Sequence, residues 1–216
     1  MARGRGHTLR IIGGEHRSRR IEAPADASVT RPLPDRVRES IFNLLRGHVE
    51  GQGVADVFAG TGSFGLEALS RGAAACTFYD RDRDVVTMLR RNIESLGVGD
   101  RARVAAGDAL GGSAVARAPE PMHIVMFDPP YPLMEDPGTR GRVFDQVSRF
   151  VSRLDEGGFA VVRTPWPLVD VLPGGERREV ALDVEGAIGP ETHAYGTTAV
   201  HLYMRESGAG QGAGAG

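Results

Sequence analysis

The four residues Asp128-Pro129-Pro130-Tyr131 close an apolar run, His123 to Asp128, that reads as a buried strand. Consecutive prolines remove two backbone donors and stiffen the chain. What remains is an edge of acceptors, the Asp128 carboxylate and the Pro129 carbonyl. Two acceptors so placed can grip both hydrogens of a planar exocyclic amine and turn its lone pair toward an electrophile. Tyr131 supplies a ring on which the base carrying that amine can stack. A plain proline turn accounts for Pro-Pro alone, but not for the flanking Asp and Tyr.

A second stretch, Val54-Ala-Asp-Val-Phe-Ala-Gly-Thr-Gly-Ser-Phe-Gly65, reads as strand, glycine turn and helix. That is the opening of a Rossmann-like unit, in which glycines let the backbone approach a ligand. The spacing Gly60, Gly62, Gly65 also fits the dinucleotide fingerprint. Two cofactor classes therefore compete, NAD-type dinucleotides and S-adenosylmethionine (AdoMet). Asp56, four residues before the first glycine, favours AdoMet. A carboxylate there attracts an ammonium and a sulfonium and repels a pyrophosphate. Two further acids fall at successive strand ends. Asp80 lies about twenty residues past the turn, where an acid can accept from a ribose diol. Asp108 follows the third strand and suits the exocyclic amine of an adenine. Each alone is an ordinary strand-end or helix-cap acid; together, beside the glycine turn, they outline one site.

These residues need a scaffold, and the rest of the pattern describes one. After the turn, Ala75 to Asp80 reads as a strand, and Val85, Leu89, Ile93 and Leu96 mark a helix that Gly97 ends. Residues 103–106 form a third strand and 123–128 a fourth. Residues 140–154 form a helix, and 159–163 a fifth strand. Residues 179–184 and 197–204 are then expected as an antiparallel edge hairpin. The predicted fold is α/β and Rossmann-like, with seven mostly parallel strands. Upstream, Leu9 to Ile21 reads as a β-hairpin around Gly13-Gly14. Prolines 32 and 34 suit the start of a helix with Val37, Ile41, Leu44 and Leu45 on one face. The expected division is a basic extension over 1–50, a catalytic domain over 51–206 and a flexible Gly/Ala tail over 207–216.

The bulk numbers fit that picture. With 216 residues, 41% hydrophobic and 25% charged, the chain is expected to be one soluble domain with a small appendage. No apolar run is long enough to span a membrane, and no secretory signal is visible. The single cysteine, Cys76, sits in an apolar run and suits a core position in a reducing cytoplasm. Net charge is −2, which at first argues against a nucleic-acid partner. Yet residues 1–20 hold Arg3, Arg5, Arg10, Arg17, Arg19 and Arg20 against only Glu15, a local excess of +5. Such clustering suits phosphate contact; the bland alternative is a solvated basic face.

On these residues the chain resembles class I AdoMet-dependent methyltransferases with the amino-methylating [DN]-P-P-[FYW] motif. More narrowly, it is similar to the bacterial small-subunit (16S) rRNA guanine-N2 methyltransferase (RsmD) family. The likeness spans roughly residues 9 to 204. It rests on Arg10-Ile-Ile-Gly-Gly14, Thr30-Arg-Pro32, Asp35-Arg-Val-Arg-Glu-Ser-Ile-Phe-Asn43, the glycine turn running on to Ala73, and Asp128 to Tyr131. The resemblance implies that Asp56, Gly60 and Gly62 hold the methionine end of AdoMet, with Phe58, Thr61 and Arg81 also lining the cofactor site. It gives the ribose to Asp80 and the adenine to Asp108 and Ala109. Asp128, Pro129, Pro130 and Tyr131 would grip the target guanine, whose N2 attacks the methyl group in line. Arg10, Arg17, Arg19, Arg20, Arg31, Arg36 and Arg38 would contact rRNA phosphates or order the site. No metal is implied. The implied partner is 16S rRNA, in the small ribosomal subunit or an assembly intermediate, met by a cytoplasmic monomer. Two departures stand out: Asp80 where the family often has Glu, and Leu33-Pro34 where small polar residues are usual. The competing readings are a DNA or RNA adenine-N6 methyltransferase, which uses the same acceptor edge, an NAD-dependent oxidoreductase, and an inactive RNA-binding module.

Overall fold

Alternating hydrophobic stretches punctuated by glycine build the framework in the computed structural model, which describes residues 9–24 and 33–207. In chain order the strands β1 (Leu9–Arg10) and β2 (Arg20–Ile21) pair antiparallel, Leu9 facing Ile21. Helix α1 (Asp35–Leu44) follows, then β3 (Gly53–Val57), α2 (Ser63–Ser70), β4 (Ala75–Asp80), α3 (Arg83–Leu96) and β5 (Ala102–Ala106). After a single 3₁₀ turn come β6 (Met122–Phe127), α4 (Tyr131–Glu135), α5 (Pro137–Val151) and β7 (Leu154–Pro165). The chain ends in β8 (Val169–Val171), β9 (Arg177–Glu179), β10 (Ala187–Tyr195) and β11 (Thr198–Arg205).

Seven strands form one sheet in the order β10-β11-β7-β6-β3-β4-β5. The pairs β3–β4, β3–β6, β4–β5 and β6–β7 are parallel, whereas β11 runs antiparallel to both β7 and β10. The central strands β3 and β6 are buried at every position, as parallel strands covered on both faces must be. On one face Val54, Phe78, Met126 and Val161 pack with the hairpin and α1 to α3. On the other, Val57, Tyr79, Phe127 and Val162 pack with α5 through Val143, Val147 and Phe150. Among the described residues no helix is long and apolar enough to cross a membrane. Cys76 is buried, and burial pushes its thiol well above its ordinary pKa.

The expected seven-stranded sheet forms, with three local corrections. The long helix begins at Pro137 and ends at Val151, so Leu154 opens β7 rather than closing the helix. Tyr131 starts a short helix of its own, α4, directly after the two prolines. The edge hairpin is β10–β11, not 179–184 with 197–204. Val180 and Leu182 instead pack against the second core cluster just after β9, which pairs with β8 outside the main sheet. Their alternation mimics a strand. The true edge strand, interrupted at Ile188/Glu191, is too polar to show one. The Thr30-Arg-Pro32 motif and nearly all of the 207–216 tail lie outside the described residues.

Candidate active site

Strand register assembles the site. Val57 lies opposite Tyr79 and Phe127, and Phe127 opposite Val162. The next residue along these strands brings Phe58, Asp80, Asp128 and Arg163 to one level at the carboxyl edge of the sheet. Asp80 in turn faces Ala106, which leads into Gly107 and Asp108. Side chains alternate across a pleated strand. Asp56, Asp80, Asp128 and Arg163 therefore all belong to the sheet face that α1 to α3 cover. Ligands of open α/β sheets bind at this edge.

The glycine turn is held by its own backbone and by two acids. Ala59 N–H donates to Tyr79 O at 2.9 Å, and Gly62 N–H to Ala59 O at 2.7 Å. Phe58 sits at φ 64°, a left-handed conformation that a bulky residue adopts only under constraint. A Cβ on Gly65 would come within 2.3 Å of the Phe78 ring, and one on Gly62 within 2.4 Å of Leu89. Gly65 therefore lets α2 pack closely on β4, and Gly62 lets α3 pack closely on the turn. Gly60, at φ +55°, faces open space instead. It is the position at which the backbone can approach a ligand.

The Asp56 carboxylate is buried and accepts the Gly65 N–H at 2.9 Å. It thus braces the turn from beneath. Burial pushes its pKa up to about 8, and the nearby negative charges of Asp128 and Asp80 add to the rise. Asp80 accepts the Gly60 N–H at 3.0 Å through one oxygen and the Asp82 N–H at 3.0 Å through the other. Arg81 beside it is exposed. Asp108 is exposed and accepts the Leu110 N–H at 3.0 Å, while buried Ala109 takes the Gln146 amide on its carbonyl at 2.8 Å. The site is thus a glycine turn braced from within by Asp56, with the acids Asp80 and Asp108 along its edge. The acids Asp80 and Asp108 suit a ligand with a ribose and a base, and a carboxylate beside the Gly60 N–H disfavours a pyrophosphate there. That argues against the dinucleotide reading.

Asp128 continues the ladder, its N–H donating to Val57 O at 3.1 Å. Its carboxylate accepts the Nε–H of Arg163 on β7. Burial raises the Asp128 pKa, and the Arg163 charge and hydrogen bond oppose that rise. The Arg163 guanidinium also lies 5.3 Å from the centroid of the Tyr131 ring. Pro129 is buried, Pro130 is exposed, and Tyr131 is half-buried at the start of α4. The arrangement offers a carboxylate, a carbonyl and a ring to a planar base entering from the edge. The sequence pattern did not single out Arg163. The one signal it carries is a cation directly after the apolar run 159–162.

The basic residues divide. Arg10, Arg17, Arg19, Arg20 and Arg36 are exposed. Arg10 reaches Asp35 at 3.4 Å, and Arg19 donates to Ser95 O at 2.6 Å. Arg31 lies outside the described residues. Arg38 corrects the expectation of phosphate contact, because it is fully buried. It donates to Arg10 O at 2.5 Å and to Asp35 at 3.0 Å, and its Nε lies 3.8 Å from buried Glu67. Arg38 orders the extension rather than meeting RNA. Glu67, on α2, accepts the N–H groups of Ile12 at 2.7 Å and Gly13 at 2.8 Å, and Arg71 at 2.7 Å. A Cβ on Gly14 would lie 1.8 Å from Ser70 O, so the hairpin turn docks flush on the end of α2. Asn92 completes the link, accepting Glu22 N–H at 2.7 Å while donating to Thr61 O in the glycine turn at 3.0 Å.

The sheet order, the glycine turn after its first parallel strand and the acids along the same edge define the class I methyltransferase fold. An RNA methyltransferase from Salinibacter ruber, solved with S-adenosylhomocysteine, shares that fold at TM-score 0.53 and 19% identity, covering 82% of this chain and 95% of that one. The family described as conserved hypothetical protein 95 matches residues 9–161. Ribosomal RNA small subunit methyltransferase D of Escherichia coli is 35% identical over 208 residues, covering 92% of this chain and 91% of the relative. The solved Escherichia coli protein yhhF is 31% identical with TM-score 0.71, covering 92% of this chain and 98% of that one. The chain belongs to this family, that of conserved hypothetical protein 95 and ribosomal RNA small subunit methyltransferase D.

Proposed function

We propose that the protein transfers a methyl group from AdoMet to the exocyclic N2 of a guanine in the 16S rRNA of the small ribosomal subunit. The observation that carries the reading is the Asp128-Pro129-Pro130-Tyr131 edge, level with the glycine turn, in a chain of this rRNA methyltransferase family. The cofactor assignment rests on the glycine turn with Asp80 and Asp108 along its edge. It is supported by the S-adenosylhomocysteine complex of the Salinibacter enzyme, which has the same fold. When bound, AdoMet supplies a methyl group already activated by its sulfonium charge.

The protein's own groups do the positioning. Asp56, Gly60 and Gly62 frame the methionine end, Asp80 the ribose, Asp108 and Ala109 the adenine, with Phe58, Thr61 and Arg81 also lining the site. The Asp128 carboxylate and Pro129 carbonyl accept the two amine hydrogens of the guanine, and Tyr131 stacks on its ring. Asp128 also stabilises the positive charge that develops on nitrogen and takes up its proton. Most of the rate gain is alignment of the amine with the methyl carbon. The base has to leave its stack to reach this edge. Residues 1–50 serve as the RNA-contacting extension, with Arg10, Arg17, Arg19, Arg20 and Arg36 on phosphates.

Labelled-methyl transfer to small-subunit particles and to naked rRNA, both prepared from cells lacking the enzyme, tests the reading. Nucleoside analysis is expected to give N2-methylguanosine at one site. N6-methyladenosine would keep the mechanism and overturn the base. AdoMet binding without transfer to any RNA would overturn the substrate class.

A further inference from the structure

We propose that Arg163 is a positioning residue for the transfer, aiming the Asp128 carboxylate while fixing the Tyr131 ring; this rests on the assignment of Asp128 to Tyr131 as the base-gripping edge. Three observations carry it. Register sets Arg163 beside Asp128 as the next pair after Phe127 and Val162. The Nε–H of Arg163 donates to Oδ1 of Asp128 and so fixes the orientation of the carboxylate. The same guanidinium lies within cation–π range of Tyr131 at 5.3 Å. Its side chain is only 8% exposed, so it is held for an internal purpose and is not a solvated cation. One planar cation therefore orients both halves of the grip, the carboxylate and the stacking ring.

The electrostatics of the cleft explain the need. Asp128 is desolvated, and the nearby Asp56 on β3 interacts with it unfavourably whenever both are charged. Tyr131, from α4, brings no charge. Arg163, from β7, is the cation that opposes burial there. A protonated Asp128 loses an acceptor and cannot take up the amine proton. Arg163 thus counters the rise that burial imposes on Asp128 and favours the carboxylate form that the grip uses.

The test is the pH profile of kcat for Arg163→Ala, Arg163→Gln and Arg163→Lys, with AdoMet affinity and thermal melting measured alongside. Arg163→Ala and Arg163→Gln are expected to lose about 10- to 100-fold in kcat near neutral pH. Their acidic limb should move upward by about one to three pH units, so that alkaline buffer restores part of the rate. AdoMet affinity should hold. Arg163→Lys keeps the charge, so its limb should stay near wild type while part of the rate is lost with the fork geometry. If Arg163→Ala fails to fold, comparing Gln with Lys still separates a lost charge from a lost shape. An unmoved limb in Ala and Gln, or equal loss in Lys, would overturn the proposal. The measurement applies to whichever base is methylated. A wrong base shows in the nucleoside product and a wrong role for Arg163 in the limb.

Discussion

Asp128→Ala removes one acceptor of the amine and the partner of Arg163. Turnover is expected to fall by roughly 10²-fold or more, the scale of one transition-state hydrogen bond, with AdoMet affinity retained because Asp128 lies at the end of β6 and not in the glycine turn. Single-turnover methyl transfer and cofactor titration on the same preparation check both halves, and wild-type turnover would remove Asp128 from the site. At this scale most of the candidate site was legible. Asp-Pro-Pro-Tyr and the glycine spacing are contiguous motifs whose chemistry follows from residue types alone. What hid were residues that matter through a distant partner. Arg163 is one cation among many until β7 is laid beside β6. Glu67 reads as one more helical acid until the hairpin amides of Ile12 and Gly13 are seen to donate to it. Asp56 reads in the sequence as a ligand-facing charge. Its bond to Gly65 shows that it also supports the turn from within the core.

The basic hairpin is the element whose role is most exposed to experiment. Its two strands are only two residues each, too short to stand alone. It is held by Leu9, Ile11 and Ile21 in the core and by the carboxylate of Glu67. Glu67→Ala leaves two amides and the buried Arg38 without that carboxylate. The expected cost is about 3–5 kcal/mol, read by urea unfolding, together with faster amide exchange at Ile12 and Gly13. A variant as stable and as protected as wild type would show that the apolar contacts suffice. The exposed arginines test the other face. Arg17→Ala with Arg19→Ala should weaken rRNA binding and flatten the slope of log affinity against log salt by about 0.7 to 0.9 per lost phosphate contact. An unchanged slope would reduce the hairpin to a solvated surface. The hairpin was legible from its paired basic strands, as were the buried parallel strands from their apolar runs, but its turn falls after Gly13-Gly14, where Gly14 O accepts the Arg17 N–H and His16 O the Arg19 N–H. The edge strand β10 was not. A strand with one free edge needs little apolar surface, so the alternation at Val180 and Leu182 draws the expectation to the wrong segment.

For the molecule as a whole, two buried groups pull stability in opposite directions as pH changes. His201, at the β11 position facing Val162 of β7, bonds through its two ring nitrogens to the hydroxyls of Thr164 and Thr192, each at 2.9 Å. Burial lowers its pKa to about 4 from an ordinary 6.5. The unfolded chain therefore takes up a proton that the folded one refuses, and stability falls as pH drops from 6.5 toward 4. Asp56 has the opposite sign. Its folded pKa is about 8 against an ordinary 3.8, so the folded state holds a proton that the unfolded state releases. Its contribution is fully present below 3.8 and is lost as pH rises through 8. Asp56→Asn keeps an acceptor for the Gly65 N–H but cannot ionise. The melting temperature of this variant should decline less than wild type as pH rises toward 8, and the two should share their acid decline. The informative quantity is the difference between the two curves, in which His201 and every other shared group cancels. A difference that grows steadily with pH assigns the alkaline loss to Asp56. Parallel curves would mean that Asp56 is already ionised in the folded protein at neutral pH, its charge stabilised by the Gly65 N–H before any cationic ligand arrives.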